Sequence, residues 1–177
     1  NETVEATVAF IDICGFTAIS ENESPDVVVG LLNNYFDVMV KEIIAQGGYI
    51  DKFIGDAILA VFRGNYHLDR AIDACLAVKA QIGKLPSSST SVSFAPQVSI
   101  GINSGEMISG NIGSATLRRL DYTVIGDVVN TAQRLQFNGS GTLSYDGSAA
   151  AGDEFSAGLG VGFDSQTGVV NLSTNLN

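Results

Sequence analysis

Apolar and polar positions change period several times along the chain, and each change marks an element. Residues 4 to 12, "VEATVAFID", are rich in β-formers and end on a charge, which predicts a strand stopping at Asp12. Ser24-Pro25-Asp26 then offers a capping hydroxyl, a proline suited to the first helical position and an acid for the first turn. Behind it Val28, Leu31, Leu32, Tyr35, Phe36, Met39 and Ile43 recur at helical spacing until Gly47-Gly48, the pattern of a helix with one face in the core. "YIDKFIGDAILAVFRG" reads as two strands around the turn Ile54-Gly55-Asp56. A second helix begins at His67, turns Leu68, Ala71, Ile72, Cys75 and Leu76 inward and ends near Gly83, after which "PSSSTS" reads as a loop. "PQVSIGINSGEMISGNIG" suggests a strand pair hinged near Ser104-Gly105, and "RRLDYTVIGDVVNTAQRL" a strand running into a third helix. The order β-α-β-β-α-β predicts an α+β fold, a ferredoxin-like core with its helices packed on one face of a mainly antiparallel sheet.

The C-terminal part is of different composition. From Leu135 onward there is no Lys, Arg or His, and stretches such as "NGSGTLSYDGSAAAGDEF" are poor in long apolar side chains. Such a chain forms at best short strands, for example "GVVNLS". The expected division is a core over residues 1–136 and an atypical Gly/Ser-rich segment over 137–177.

Composition narrows the partners. With 177 residues, 45% of them hydrophobic, the chain is long enough for one well-filled core. No apolar run approaches the roughly 20 residues that span a bilayer, so no membrane contact is expected from this fragment. It starts without Met and goes straight into a strand, which reads as a piece of a longer chain and leaves a membrane anchor elsewhere open. Cys14 and Cys75 are too few for a disulfide framework or a zinc site and read as packing residues in a reducing, cytoplasmic compartment. The net charge of −10 speaks against a nucleic-acid partner, so an anionic ligand has to be held locally by metal ions, helix N-termini or a few placed cations. His67 is the single histidine and has no nucleophile pattern beside it, so it reads as a surface residue.

Two acids stand where chemistry is expected. Asp12 closes the first strand and Asp56 sits in the hairpin turn; if that strand lies beside the hairpin, both carboxylates project at one edge as a hard oxygen site for Mg²⁺ or Mn²⁺. Gly15 allows a close turn, and the amides of Phe16 and Thr17 open a short helix whose N-terminus favours an anion. Taken singly, these residues also fit plainer roles: Asp12 a cap, Asp56 a turn residue, Lys52 an exposed strand lysine, Asn130 and Arg134 a solvated helix face.

Together "FIDICGFT", "DKFIGDAILAVF", "GINSGEMISGNIG" and "LDYTVIGDVVNTAQRL", in this order, resemble the catalytic domain of class III nucleotidyl cyclases, most closely the bacterial and soluble-type adenylyl cyclases. The resemblance spans residues 4 to about 136. It implies that Asp12 and Asp56, with the backbone carbonyl of Ile13, bind two Mg²⁺ or Mn²⁺ ions. It makes Lys52 and Thr123 the purine-reading pair, and Asn130 and Arg134 the residues that position the ribose and stabilise charge on the transferred phosphoryl group. Asp121, two residues from Thr123, lies about 6.6 Å along the strand and is set aside. The implied activity converts ATP to 3′,5′-cyclic AMP and pyrophosphate by two-metal catalysis, in a head-to-tail homodimer whose sites draw residues from both chains. The sequence departs from the family after the last helix, where relatives supply a further phosphate-binding lysine. No lysine follows Lys84 here, which favours as the alternative a catalytically weak or inactive cyclase-like module that binds a nucleotide, dimerises and relays a signal.

Overall fold

The computed structural model describes residues 1–86, 88–89, 93–94, 96–114, 116, 119–137, 143–146, 160–164 and 169–173. In chain order the elements are β1 (Glu2–Ile13), α1 (Phe16–Asn22), α2 (Pro25–Ala45), β2 (Tyr49–Ile54), β3 (Ala57–Arg63), α3 (His67–Gly83), β4 (Ser88–Ser89), β5 (Ser93–Phe94), β6 (Val98–Ser114), β7 (Arg119–Ile125), α4 (Asp127–Phe137), β8 (Leu143–Asp146), β9 (Gly160–Asp164) and β10 (Val169–Ser173).

The main sheet runs β2-β3-β1-β6-β8-β10-β9, with β7 paired to β6 beyond the end of β1. Its first four strands have the connectivity expected of a ferredoxin-like α+β core. Every pairing is antiparallel except β6 with β8, which α4 connects as a crossover. The C-terminal strands thus extend the sheet, and β10 covers most of "GVVNLS".

β1 is an interior strand between β3 and β6, and its alternate residues serve two cores. Ala9, Ile11 and Ile13 join Ile58, Ala60 and Phe62 beneath α2 and α3, which add Met39, Ile43, Ile72, Cys75 and Val78. Val4, Ala6, Val8 and Phe10 point the other way, with Leu59, Val61, Met107, Val124, Val129 and Ala132. Burial on both faces explains why "VAFIDI" is nearly continuous in apolar residues rather than alternating. The third helix, α4, therefore occupies the face opposite α2 and α3, so the helices do not share one side.

Three local expectations change. Ser24 occupies the N-cap of α2, but its side chain makes no capping bond; its carbonyl accepts from Val28 N–H at 3.0 Å. The "PSSSTS" segment contributes β4, which pairs with β5 in a separate two-stranded sheet. The stretch read as a hinged strand pair is a single strand, β6, held to β1 by an unbroken ladder from Ile13↔Val98 to Glu2↔Ser109. Gly105, which suggested a hinge, and Gly101 serve close packing instead. A Cβ at Gly101 would stand 2.1 Å from the Ala132 carbonyl oxygen, and one at Gly105 would stand 2.9 Å from Val128. α4 thus rests directly on the backbone of β6.

Candidate active site

The end of β1 carries the first cluster. Asp12 pairs with Ala57 on one side and Ser99 on the other, the last rung of the ladder to β3 and the penultimate rung of the ladder to β6. Ile13 N–H donates to the Asp56 carbonyl at 3.4 Å, folding the β2–β3 turn onto the strand end and bringing the two carboxyl groups together. Oδ2 of Asp12 accepts from Gln136 Nε2 at 3.2 Å. Oδ1 is buried and has no donor, because the neighbouring group, Asp56, is itself an acceptor. Burial, and then the charge of Asp56, raise the Asp12 carboxyl from 3.8 to about 6; the Ile13 N–H and the Gln136 amide pull it back.

Two facing acceptors with an orphaned buried oxygen form a site short of positive charge, and hard carboxylate oxygens fit Mg²⁺ or Mn²⁺. Among the described residues no cluster of three or more His, Cys, Asp or Glu forms. A cation held by Asp12 and Asp56 thus keeps positions for other oxygens. The side chain of Ile13 is buried in the core, which leaves only its backbone for this site. Gly15 caps α1 with φ 73, a left-handed conformation suited to glycine. The first turn of α1 has no side-chain cap, with Phe16 anchored in the core and Thr17 exposed.

The second cluster joins β2 to β7, two strands that are not paired. Thr123 Oγ1 donates to Asp51 Oδ2 at 2.7 Å, and Lys52 Nζ lies 3.4 Å from the same oxygen. Lys52 and Thr123 are thus brought together, and Asp51 is what joins them. Sequence reasoning passed over Asp51, because simple alternation places it on the opposite face from Lys52. Asp121 is exposed on β7.

Asn130 and Arg134 lie on the exposed side of α4. Arg134 Nη2 donates to Thr131 Oγ1 at 3.0 Å, within its own helix. It is Gln136, not Arg134, that reaches Asp12 of the same chain. His67 is less superficial than its position suggested: Nδ1 shares a 2.7 Å hydrogen bond with Thr7 Oγ1, which also contacts Ser104 Oγ. Cys75 is a packing residue as expected, and burial pushes its thiol upward. A pocket of about 420 Å³ lined by Asn65, Tyr66, His67, Leu68 and Asp69 lies beyond Arg63, toward the other end of the β1–β3 ladder from Asp12.

Residues 1–143 match the family model described as the adenylate and guanylate cyclase catalytic domain. An adenylate cyclase of Anabaena cylindrica is 38% identical over 139 residues, covering 76% of this chain and 27% of that protein. The chain therefore spans about a quarter of that relative's length. Among solved structures, the adenylyl cyclase CyaB from P. aeruginosa superposes with a TM-score of 0.75 at 32% identity, covering 82% of this chain and 78% of the other. The guanylyl cyclase Cya2 does so with a TM-score of 0.79 at 29% identity, covering 97% and 92%. With its ferredoxin-like sheet, its paired acids at the end of β1 and this family match, the chain belongs to the adenylate and guanylate cyclase catalytic domains.

Proposed function

We propose that the chain is an adenylyl cyclase catalytic domain that converts ATP to 3′,5′-cyclic AMP and pyrophosphate at sites shared between two copies. The observation that carries this reading is the convergence of Asp12 and Asp56, with a buried acceptor oxygen that lacks a donor. Divalent ions bound there would supply the charge that acidifies the ribose 3′ hydroxyl and balances the departing pyrophosphate. Asp12, Asp56 and the Ile13 carbonyl would hold them. The Phe16 and Thr17 amides after Gly15 would take phosphate oxygens.

Base selection rests on Lys52 and Thr123. Adenine presents an acceptor at N1 and an amino donor at N6, which an ammonium and a hydroxyl oxygen satisfy. Guanine reverses both edges, and a site built to pair polar groups can reject such a mismatch by up to ~10⁴. Arg134 would stabilise charge on the transferred phosphoryl group, a role worth ~10³ or more in related chemistry, while Asn130 orients the ribose.

The exposed placement of Asn130 and Arg134, away from the acids of their own chain, supports a site completed by a second copy. So do the exposed apolar side chains Phe53, Ile54, Leu120, Tyr122 and Ile125, which flank Lys52 and Thr123. Incubation with ATP and Mn²⁺, followed by quantification of cyclic AMP, tests the activity. Binding of ATP without product supports instead the noncatalytic module, which the lack of any lysine after Lys84 favours.

A further inference from the structure

The bottom of the base site holds a residue that the motif comparison leaves without a role. The β2–β3 register slips between Ile50 and Lys52: Ile50 faces Ala60 and Lys52 faces Leu59, so Asp51 is the extra, bulged residue. In a regular strand, Asp51 and Lys52 would point to opposite faces. The bulge turns both to one side, and Lys52 Nζ comes within 3.4 Å of Asp51 Oδ2. The Asp51 side chain is only 1% exposed, and its Oδ1 is buried without a partner. A base could not reach this carboxylate. Its effect has to pass through the two side chains it touches.

We propose that Asp51 is a specificity-positioning residue that commits the Thr123 hydroxyl proton downward, so that Thr123 offers a purine only acceptor lone pairs. A threonine hydroxyl has one proton to give. Here it is donated to Asp51 Oδ2 at 2.7 Å, whereas the other acceptor, the Val124 carbonyl, is 3.5 Å away. A carboxylate has no proton to return. Thr123 Oγ1 can therefore accept from the adenine amino group but cannot donate to guanine O6. The same oxygen anchors Lys52, so one atom sets the spacing between the two reading groups. This inference rests on the adenine-site reading above and adds the group that gives the hydroxyl its polarity.

The test compares binding of ATP and GTP, by competition against a fluorescent ATP analogue, together with kcat/KM for each. Asp51→Asn can donate to Thr123 and release its proton toward the base. The ATP-over-GTP preference should then fall by about tenfold, the scale of one hydrogen bond of reversed sense. Thr123→Ser should keep the preference and Thr123→Val should lower it to what Lys52 alone provides. Adding Asp51→Asn to Thr123→Val should change the preference much less than Asp51→Asn does alone, because only the Lys52 contact is then left to lose. An unchanged preference in Asp51→Asn beside a changed one in Thr123→Val overturns the role of Asp51 alone, as does an equal effect of Asp51→Asn with and without Thr123. The unaltered chain provides a measurement independent of variant folding: inosine triphosphate, with O6 in place of the amino group, should compete at least about tenfold more weakly than ATP. Equal competition overturns the proposal. An unaltered chain that prefers GTP, or binds neither nucleotide, overturns the adenylyl reading itself and this inference with it.

Discussion

The Gln136 side-chain amide donates to Asp12 Oδ2 at 3.2 Å, tying the last turn of α4 to the end of β1. The bond fixes one oxygen of the carboxylate and leaves the other facing Asp56. Residues that orient a ligating carboxylate from behind typically cost 10- to 100-fold in metal affinity when removed. Gln136→Leu should therefore weaken Mn²⁺ binding by about tenfold, read by calorimetric titration, without changing the fold seen by circular dichroism. Undiminished affinity would show that Asp12 needs no support from α4.

The acid pair also has a pH signature in the metal-free chain. Folding raises the Asp12 carboxyl from 3.8 to about 6, so between those values the folded state binds more protons than the unfolded one. Stability from this group is then greatest at low pH and falls as pH rises through that window, the reverse of a salt-bridged aspartate. Asp12→Asn should raise the melting temperature at pH 7.5 by a few degrees and give no such gain at pH 4. Mg²⁺ should stabilise the unaltered chain and leave the variant unmoved. Thermal melts at both pH values, with and without the ion, check all of this.

Packing of α4 makes a third prediction. A Cβ at position 101 would stand 2.1 Å from the Ala132 oxygen and 2.4 Å from the Gln136 nitrogen, both backbone atoms that no rotamer change can move aside. Gly101→Ala should cost about 1–3 kcal/mol or more, the range of overpacked cores. Because Asn130, Arg134 and Gln136 all ride on this helix, product formation should fall even at temperatures where the variant stays folded. Denaturant unfolding beside a cyclic AMP assay separates the two effects.

A shared site predicts complementation. Asp56→Ala and Arg134→Ala should each be inactive, and a mixture should regain activity because one of the two sites in a mixed dimer receives both intact residues. Mixed dimers that form and remain inactive would place the whole site within one chain.

The fold was largely legible along the chain. The helical stripes of α2 and α3, the hairpin at Gly55-Asp56 and the first strand, which ends at Ile13 just past Asp12, all follow from local period and turn chemistry. The single strand β6 did not, because Ser104-Gly105 looks like a turn locally. The reason for a glycine at 105, and for another at 101, lies in α4, which packs on both from a distant part of the sequence.

Residue types and their order alone point to a hard-ion site at Asp12 and Asp56, and the motifs' resemblance to the cyclase family adds Lys52 and Thr123 as the proposed purine-reading pair, because hard-ion binding depends on what each side chain can donate or accept. Tertiary structure alone revealed the parts set by register and packing. A one-residue bulge turned Asp51 beneath Lys52 and Thr123, and the seating of α4 on bare backbone carried Gln136 to Asp12. Side-chain chemistry is a property of the residue, whereas the direction a side chain faces depends on strands and helices that meet only in the folded chain.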